Sequence, residues 1–300
     1  REGWNMYETS IREKKIRPSK RKRLNRSTGG TLAIFIVLGF FGLFSAMPLY
    51  LTIINAFKPL NELWVYPPKF YIINPTLENF SQLMTTLGNS SVVFGRYVFN
   101  TVLITVVGTI GQIVFGSMGA YAISKVRFPG HKIYFQIIVK SLMFTTAVTS
   151  IPSYLIMSKL GFIDTYWAVL LPACGGTLGL FLMKQFMDQI SDTLMEAARI
   201  DGAGEFGIYW RIVMPNAKHA WLTVIVFSVQ GLWNAGASPY IYTEEFKSLN
   251  YALGQITAAG IARAGVAAAI SVLIMAVPIT IFLITQSNII ETMSTSGMKD

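Results

Sequence analysis

A polar stretch between two apolar segments is the part of this sequence whose residue types and spacing indicate a specific task. It reads Glu-Ala-Ala-Arg-Ile-Asp-Gly over residues 196–202 and Ile-Val-Met-Pro over residues 212–215. The apolar segments on either side are long enough to cross a lipid bilayer, so the polar stretch is expected to lie outside the membrane. Its small alanines and its glycine suit contact with another molecule, because they let a partner surface approach closely.

This polar stretch is predicted to fold as a helix, a turn and a second helix. Residues 190–201 have the spacing of an amphipathic helix. The side of it with small and apolar residues carries Ile190, Leu194, Ala197 and Ala198. Ser191 can cap the start of the helix, and Gly202 permits the turn that follows it. A second apolar piece covers residues 206–213, and Pro215 is expected to help end it. Such a helix-turn-helix suits docking, although an ordinary surface loop explains the residues equally well.

No residue pattern in the sequence indicates catalysis. Residues 202–207 fit G-x-G-x-x-G, but no strand precedes them, so a dinucleotide site is not expected. The phosphate-binding pattern G-x-x-x-x-G-K-[ST] does not occur in the sequence. His131 and His219 are isolated, and the single Cys174 lies in an apolar stretch, which argues against a metal site or an internal disulfide. We therefore expect a protein that is not an enzyme and holds no metal or cofactor of its own.

Composition indicates an integral membrane protein. Of the 300 residues, 52% are hydrophobic and only 13% are charged, whereas soluble proteins have roughly 25% charged residues. The mean hydropathy of +0.48 agrees with this. Six apolar segments are long enough to cross a bilayer as helices. They cover residues 31–57, 98–123, 133–157, 166–187, 217–237 and 265–285. The sequence therefore predicts an all-α, polytopic membrane protein, with a six-span domain over residues 29–300 and a polar loop over residues 189–216.

Three of these segments have features beyond hydrophobicity. The second carries glycines on one side, which predicts close helix packing in lipid. The third is the most polar and contains Lys140, a side chain that is costly in a span and would face the bundle interior or reach an interface. The fourth carries a glycine cluster over residues 175–179, which permits an irregular backbone where protein or water satisfies it.

Charge is concentrated at the N-terminus. Residues 1–28 hold ten Lys and Arg against three Glu, which accounts for most of the formal net charge of +10. No folded basic domain accompanies this run, so it indicates a cytoplasmic tail beside anionic lipid and not a nucleic-acid site. Predicted segments on the side of the termini hold eighteen Lys and Arg, and the opposite loops hold six. The positive-inside rule therefore predicts that both termini and the polar loop are cytoplasmic.

The polar loop resembles the signature loop of the membrane subunits of bacterial ABC importers. That signature is Glu-Ala-Ala, three residues, Gly, nine residues and Ile-x-Leu-Pro. Its positions here are Glu196, Ala197, Ala198, Gly202, Ile212 and Pro215, and Met214 replaces Leu with little change in volume. Further stretches are similar to the carbohydrate branch of these importers, specifically the second membrane subunit of maltose-type systems. They include residues 56–59, 75–80, 99–101, 151–154 and 233–234.

This resemblance implies a type I ABC importer permease fold in the bacterial cytoplasmic membrane. The segment from Glu196 to Gly202, including Asp201, would be the coupling helix that sits in a cleft of an ATP-hydrolysing subunit. The implied partners are a second, homologous permease subunit, a cytoplasmic ABC ATPase dimer that holds ATP and magnesium, and an extracytoplasmic solute-binding protein. The loop between spans five and six would reach toward that binding protein. ATP binding would move the coupling helix and rock the bundle open.

The solute expected from this resemblance is a sugar, and an oligosaccharide in particular. Trp233 and Asn234 combine an aromatic face with an amide, which suits stacking on a sugar ring and hydrogen bonding to its hydroxyls. The same residues fit an interfacial aromatic belt equally well. Together with Thr149 and Ser153 of the third span, they are the residues expected to line the pathway.

Three other functions remain open on the sequence. The same architecture would suit a different solute, such as a peptide or a phosphodiester. An ATP-independent secondary carrier would need a relay of charged residues across the spans. Only Lys140 begins to suggest such a relay. A membrane scaffold would need neither a polar pathway nor a coupling loop.

Overall fold

The computed structural model of the chain describes residues 28–88, 92–126 and 128–296, and every regular element in these ranges is helical. The predicted basic tail, residues 1–28, lies outside the described ranges except for Thr28. For the described chain, the prediction of an all-α fold is confirmed.

Helices follow one another along the described chain with short connections. In order, the α-helices are α1 (Thr28–Phe57), α2 (Leu60–Leu63), α3 (Glu78–Gly88), α4 (Phe94–Tyr121), α5 (His131–Ser141), α6 (Thr146–Lys159), α7 (Trp167–Cys174), α8 (Thr177–Asp188), α9 (Asp192–Ile200), α10 (Glu205–Ile208), α11 (Met214–Asn216), α12 (Lys218–Trp233), α13 (Leu249–Ala258) and α14 (Ala264–Ser296). Two π-helical turns, Ala122–Val126 and Tyr209–Val213, extend α4 and join α10 to α11.

The chain divides between Leu49 and Tyr50 into two compact units. The described part of the first unit, residues 28–49, is a single apolar helical segment whose side chains are almost all exposed. Such a surface is stable only against lipid or another protein. The second unit contains the end of α1 and all the helices that follow, and the candidate site lies within it.

The described helices fall at the six positions predicted for membrane spans. Four segments are long and apolar enough to cross a membrane without a sharp bend, namely Gly29–Phe57, Phe94–Val126, Trp167–Asp188 and Ala264–Gln286. Two helix pairs, α5 with α6 and α10–α11 with α12, meet the same criterion only when each pair is taken as one bent span. The total is therefore four spans, or six when the bent pairs are included.

The third segment differs most from the prediction. One helix was expected over residues 133–157, but α5 and α6 meet at 112° across residues 142–145. Ser141 donates a hydrogen bond to a carbonyl one turn back at 2.7 Å, and Thr145 before α6 has an extended backbone with ψ of 154°. Hydroxyl side chains that bond locally compete with the helical backbone, which accounts for a break in this Ser/Thr-rich stretch. Lys140 is exposed beside the break.

The fifth segment is shorter than predicted. The expected span covers residues 217–237, whereas α12 ends at Trp233 and residues 234–237 belong to the following loop. Gly236 and Pro239 in that loop both disfavour helix. With 16 residues, α12 is about 24 Å long, and it meets the preceding helical segment at an angle of 76°.

α4 is the helix against which the others pack. It contacts α7, α8 and α12. Gly108 faces Leu232 of α12 so closely that a Cβ would lie 2.7 Å from it, and Gly111 lies directly against Cys174 of α7. The glycine side predicted for close packing is therefore confirmed in that role.

The glycine cluster of the fourth segment produces the predicted backbone irregularity. α7 ends at Cys174 and α8 begins at Thr177, with residues 175–176 between them. The side-chain amide of Gln112 on α4 occupies the space that a side chain on Gly176 would need. Protein therefore covers the break, as an irregular backbone at membrane depth requires.

Buried apolar side chains form two clusters at opposite ends of α4. The cluster near its N-terminal end joins α3, α12, α13 and α14 and includes Tyr97 and Trp233. The cluster near its C-terminal end joins α8, α9 and α12 and includes Tyr121, Met187 and Ala198. This second cluster attaches the polar loop to the bundle.

We expect Gly111→Ala to destabilise the protein, because the new Cβ would collide with Sγ of Cys174. Overpacking of this kind costs about 1–3 kcal/mol, which thermal unfolding in detergent measures as a lower Tm. Gly95→Ala, in the first turn of the same helix, is the control, since nothing lies within 4 Å of its Cβ position. Equal destabilisation in both variants would contradict the packing role of Gly111.

Candidate functional site

The loop between α8 and α12 has the predicted helix-turn-helix form. Ser191 precedes α9, and its hydroxyl accepts a hydrogen bond from the Thr193 backbone N–H at 3.3 Å. The chain turns at Gly202, whose φ of 83° favours glycine. The Ala203 N–H closes this turn on the Ala198 carbonyl at 2.9 Å. The cap and the turn predicted from the sequence are both present.

The two sides of α9 have different environments. Met195 and Ala198 are buried against the bundle. Glu196 and Ala197 are exposed, and Ile200 is 86% exposed. This corrects the single small-residue face expected from the sequence. Ala198 faces the chain's own core because it shares a side of the helix with Met195, and Ala197 faces outward.

The second half of the loop continues past Pro215. α10, the π-helical turn and α11 run from Glu205 to Asn216, and the helical segment ends at Ala217. α11 thus ends one residue after Pro215, close to the end expected from the sequence. Pro215 lies in the first turn of α11, directly after the π-helical turn, where the regular pattern of backbone hydrogen bonds is already interrupted. Ile212 is half-buried and Pro215 is exposed.

Large apolar side chains are exposed on this polar loop. Phe206 is 72% exposed and Trp210 is 57% exposed, in addition to Ile200. Asp201 and Gly202 at the turn are exposed as well. The loop therefore combines an exposed turn with exposed apolar side chains, a combination that is typical of contact sites.

Polar side chains at the C-terminal end of α4 hold the inner side of the loop. The hydroxyls of Ser117 and Tyr209 share a hydrogen bond of 2.7 Å. One turn further along α4, the Tyr121 hydroxyl donates to the Glu205 carboxylate at 2.6 Å. These two bonds fix α10 and the π-helical turn against α4.

A third contact from the same side holds the start of α9. Lys125, in the π-helical turn that extends α4, has a side chain only 4% exposed. It donates to the Ile190 carbonyl at 2.6 Å and pairs with Asp192 at 2.8 Å. We refer to the side chains that hold the loop at successive turns as the inner stripe of α4: Ser117, Tyr121 and Lys125. Sequence analysis missed this stripe, although its four-residue spacing at the end of an apolar helix is visible there.

The Glu205 carboxylate on α10 bonds to side chains of both α4 and α9. It accepts hydrogen bonds from the Tyr121 hydroxyl and from Nε of Arg199, the latter at 2.9 Å. These bonds lower the pKa of Glu205 although burial acts to raise it. The bond to Glu205 also raises the pKa of Arg199. Both side chains are therefore ionised at neutral pH.

The residues predicted to line the pathway do not form one cluster. Trp233 is 6% exposed and its indole N–H donates to the Ile274 carbonyl at 2.7 Å, so its ring fills the core and is not available to a solute. Asn234 is exposed at the end of α12, and on α6 Thr149 is exposed and Ser153 half-buried. Within the described residues, no hydrogen bond joins the α6 hydroxyls to residues 233–234.

A polar pair that sequence analysis did not single out lies in a cavity between α4, α7, α8 and α12. The cavity measures about 240 Å³, and none of the described residues that line it has an ionisable side chain. The Ser228 hydroxyl donates to the side-chain oxygen of Gln112. Gly176 and Gly179 form part of the wall beside this pair. The signal in the sequence was Gln112 itself, an amide within an otherwise apolar helix.

The loop after α12 is attached to the turn between α6 and α7. Asp164, with φ of 61°, accepts hydrogen bonds from the backbone N–H groups of Tyr242 at 2.9 Å and Thr243 at 2.8 Å, and from the Thr243 hydroxyl. The bonds from Thr243 lower the pKa of Asp164. The hydroxyls of Tyr154 on α6 and Tyr242 are 2.9 Å apart. An ionised carboxylate therefore fixes this loop.

Comparison with known proteins assigns the chain to a family. Residues 31–294 match the profile of the family described as "Binding-protein-dependent transport system inner membrane component". The chain belongs to this family. It is therefore a multi-pass membrane component of a transport system of that kind, which confirms the resemblance found in the sequence.

Individual relatives agree with this assignment. The sn-glycerol-3-phosphate transport system permease protein UgpE of Yersinia enterocolitica is 32% identical over 201 residues, 66% of this chain and 71% of the relative. The arabinooligosaccharides transport system permease protein AraQ of Halalkalibacterium halodurans is 29% identical over 219 residues, 70% of this chain and 76% of the relative. A chain in the crystal structure of a bacterial ABC transporter involved in the import of the acidic polysaccharide alginate superimposes with a TM-score of 0.78 at 22% identity. The match covers 88% of this chain and 99% of that one and shows a shared fold.

The attachment of the loop through Glu205 is expected to weaken in acid. Because its pKa is lowered in the folded protein, Glu205 contributes stability that is present above its ordinary pKa of about 4.3 and is lost as pH falls through the lowered value. The difference in Tm between wild type and Glu205→Gln should therefore be constant near neutral pH. It should decrease toward zero as the pH is lowered into the acid range. A Tm difference that does not change with pH would show that the charge on Glu205 has no part in holding the loop.

Proposed function

We propose that this chain is a permease subunit of an ATP-driven, binding-protein-dependent importer for a sugar, in particular an oligosaccharide. The observation that carries the proposal is the loop between α8 and α12. Its inner side is bound to α4 through Glu205, and its outer side exposes Ile200 and Phe206. Family membership supplies the context, since the family is one of binding-protein-dependent transport components.

The exposed side of the loop is proposed to dock into a separate ATPase subunit. Ile200 and Phe206 would be the apolar anchors, and Glu196 and Asp201 would add charge at the edge of the contact. The docking element comprises Glu196, Ala197, Ala198, Asp201, Gly202, Ile212 and Pro215. ATP and magnesium would be held by an ATPase dimer and not by this chain. The positive-inside rule supports a cytoplasmic position for the loop and for both termini.

The proposed assembly has three further partners besides the ATPase dimer. They are a second, homologous permease subunit, a solute-binding protein on the outer side and the surrounding lipid. The exposed apolar surface of residues 29–49 supports contact with lipid or with the second subunit. The described residues of α6 and α12 that remain candidates for the pathway are Thr149, Ser153 and Asn234. Because its ring is buried, we leave Trp233 out of this set.

The cavity beside Gln112 favours a neutral solute. Among the described residues that line it, the polar side chains are an amide and a hydroxyl, and none is ionisable. Amides and hydroxyls are suited to the hydroxyls of a sugar, whereas the side chains that usually hold a phosphate are Arg and Lys. The relative named for arabinooligosaccharides supports this choice. The relative named for sn-glycerol-3-phosphate supports the alternative, a phosphorylated polyol on the same architecture.

Docking is tested by copurification of the chain with its neighbouring membrane subunit and a candidate ABC ATPase. Ile200→Glu and Phe206→Glu are each expected to reduce the amount of bound ATPase by roughly tenfold or more, because each introduces a charge at a central apolar contact. Gln189→Glu is the control, since it introduces the same charge at an exposed polar position at the start of the loop. If Ile200→Glu binds the ATPase as tightly as wild type, the loop is not the docking surface.

The solute is tested by uptake into proteoliposomes that contain the complete transporter. We expect uptake of a neutral oligosaccharide, with Gln112→Leu raising KM about threefold to tenfold through the loss of a hydrogen bond and leaving ATPase binding unchanged. Ser271→Ala, which removes a hydroxyl that donates to the Ala267 carbonyl within α14, is the control. Uptake of sn-glycerol 3-phosphate instead of the oligosaccharide would establish the alternative solute.

A further inference from the structure

α4 carries polar contacts at both ends, and the two sets hold two different loops. At its C-terminal end, the inner stripe holds the loop between α8 and α12. The contacts include the Tyr121 hydroxyl on Glu205 at 2.6 Å and the Lys125 ammonium on Asp192 at 2.8 Å. The loop partners of these contacts, and of the Ser117 hydroxyl, lie within residues 190–209.

The N-terminal end of α4 holds the loop after α12 in the same manner. The Tyr97 hydroxyl donates to the Glu244 carboxylate at 2.7 Å. The Asn100 amide donates to the carbonyls of Glu245 at 2.7 Å and Lys247 at 2.9 Å. We refer to the residues of this end as the outer stripe of α4: Arg96, Tyr97, Asn100 and Thr101. Arg96 adds a bond to the Glu245 carbonyl at 3.2 Å.

Asn100 and Thr101 at this end of α4 are buried, and their side chains are hydrogen-bonded. Asn100 is fully buried, and its side-chain oxygen accepts a hydrogen bond from the Tyr166 hydroxyl at 2.7 Å. Thr101 is 1% exposed, and its hydroxyl accepts from the Leu249 N–H at 2.8 Å while donating within α4. Buried polar groups with all their partners in place hold a single geometry, because any shift leaves a group unpaired.

Between these two ends, α4 is an unbroken α-helix. Its 28 residues span about 42 Å, and small residues such as Gly108 and Gly111 let it lie close to its neighbours. The two segments that flank the inner loop in sequence are less direct connections. The α7–α8 segment is interrupted at residues 175–176, and α12 joins the inner loop through a bend of 76°.

We propose that α4 is the element that transmits movement between the inner docking loop and the outer loop, with Tyr121 and Tyr97 as its positioning residues. Displacement of the inner loop by a docked ATPase pulls on the inner stripe, moves α4 as a rigid rod and shifts the outer loop through the outer stripe. Binding of the solute-binding protein to the outer loop moves α4 in the opposite direction. The inference rests on the proposed function, since it supplies the connection between ATP hydrolysis and the outer surface.

The test uses the complete transporter in lipid nanodiscs and measures how many-fold the solute-binding protein stimulates ATP hydrolysis. That stimulation requires a signal from the outer surface to the ATPase. Tyr121→Phe and Tyr97→Phe each remove one hydroxyl and keep the ring. Each is expected to lower the stimulation about two- to fivefold, with assembly of the complex and its Tm close to wild type. The double variant should be no worse than the more severe single variant, because both interrupt one path.

Tyr154→Phe is the matched control. It removes a hydroxyl bonded to the same outer loop, on Tyr242, but the hydroxyl belongs to α6 and not to α4. Stimulation in this variant should equal that of wild type. A loss as large as that of Tyr97→Phe would overturn the inference, because attachment of the loop in general, and not its connection to α4, would then matter.

The remaining outcomes separate the inference from the proposed function. If wild type responds to the binding protein and both α4 variants respond equally well, the role of α4 is wrong and the proposed function stands. If the losses of the two single variants multiply in the double variant, the two ends act independently and the inference is overturned. If wild type binds no ATPase or shows no stimulation, the proposed function fails and this inference fails with it.

Discussion

Close packing of α7, α8 and α12 against α4 is the constraint on which the rest of the structure depends. In lipid, burial of apolar surface does not drive helices together, so contact depends on tight packing and on satisfied backbone groups. Gly111 lets Cys174 approach α4, and Gly176 lets the Gln112 amide cover the break between α7 and α8. The same approach creates the cavity in which Gln112 meets Ser228.

Polar contacts at the two ends of α4 attach it to the loop between α8 and α12 and to the loop after α12. Hydrogen bonds that involve an ionised group are stronger than neutral ones, and both ends use a Tyr hydroxyl on a Glu carboxylate. These are Tyr121 with Glu205 and Tyr97 with Glu244. The two loops are joined in sequence by α12, and α4 connects them a second time through hydrogen bonds at its two ends. An unbroken helix held at both ends is the geometry on which we base the proposed transmission of movement, since the segments beside it are interrupted or bent.

Much of the polar loop between α8 and α12 was predictable because its features are local. The Ser191 cap and the positive φ of Gly202 follow from residue type and neighbouring residues alone, and both are present. The direction of each side chain was less predictable. Ala198 faces the core and Ala197 faces outward because Met195 packs on the bundle, which depends on helices distant in sequence. The break between α5 and α6 was missed because hydropathy averages over a segment and does not detect local competition for backbone hydrogen bonds.

The sequence by itself determined the class of protein, the positions of its apolar segments and the loop that marks its family. Length, hydropathy and a motif of fixed spacing need no knowledge of distant contacts. Only the tertiary structure decided which side chains are available. It buried Trp233 with its indole N–H on Ile274, although the sequence suggested a sugar-stacking role. It also brought Gln112 to Ser228 and Tyr121 to Glu205. These pairs join residues more than 80 positions apart, so their contact depends on how the helices pack and not on any local pattern.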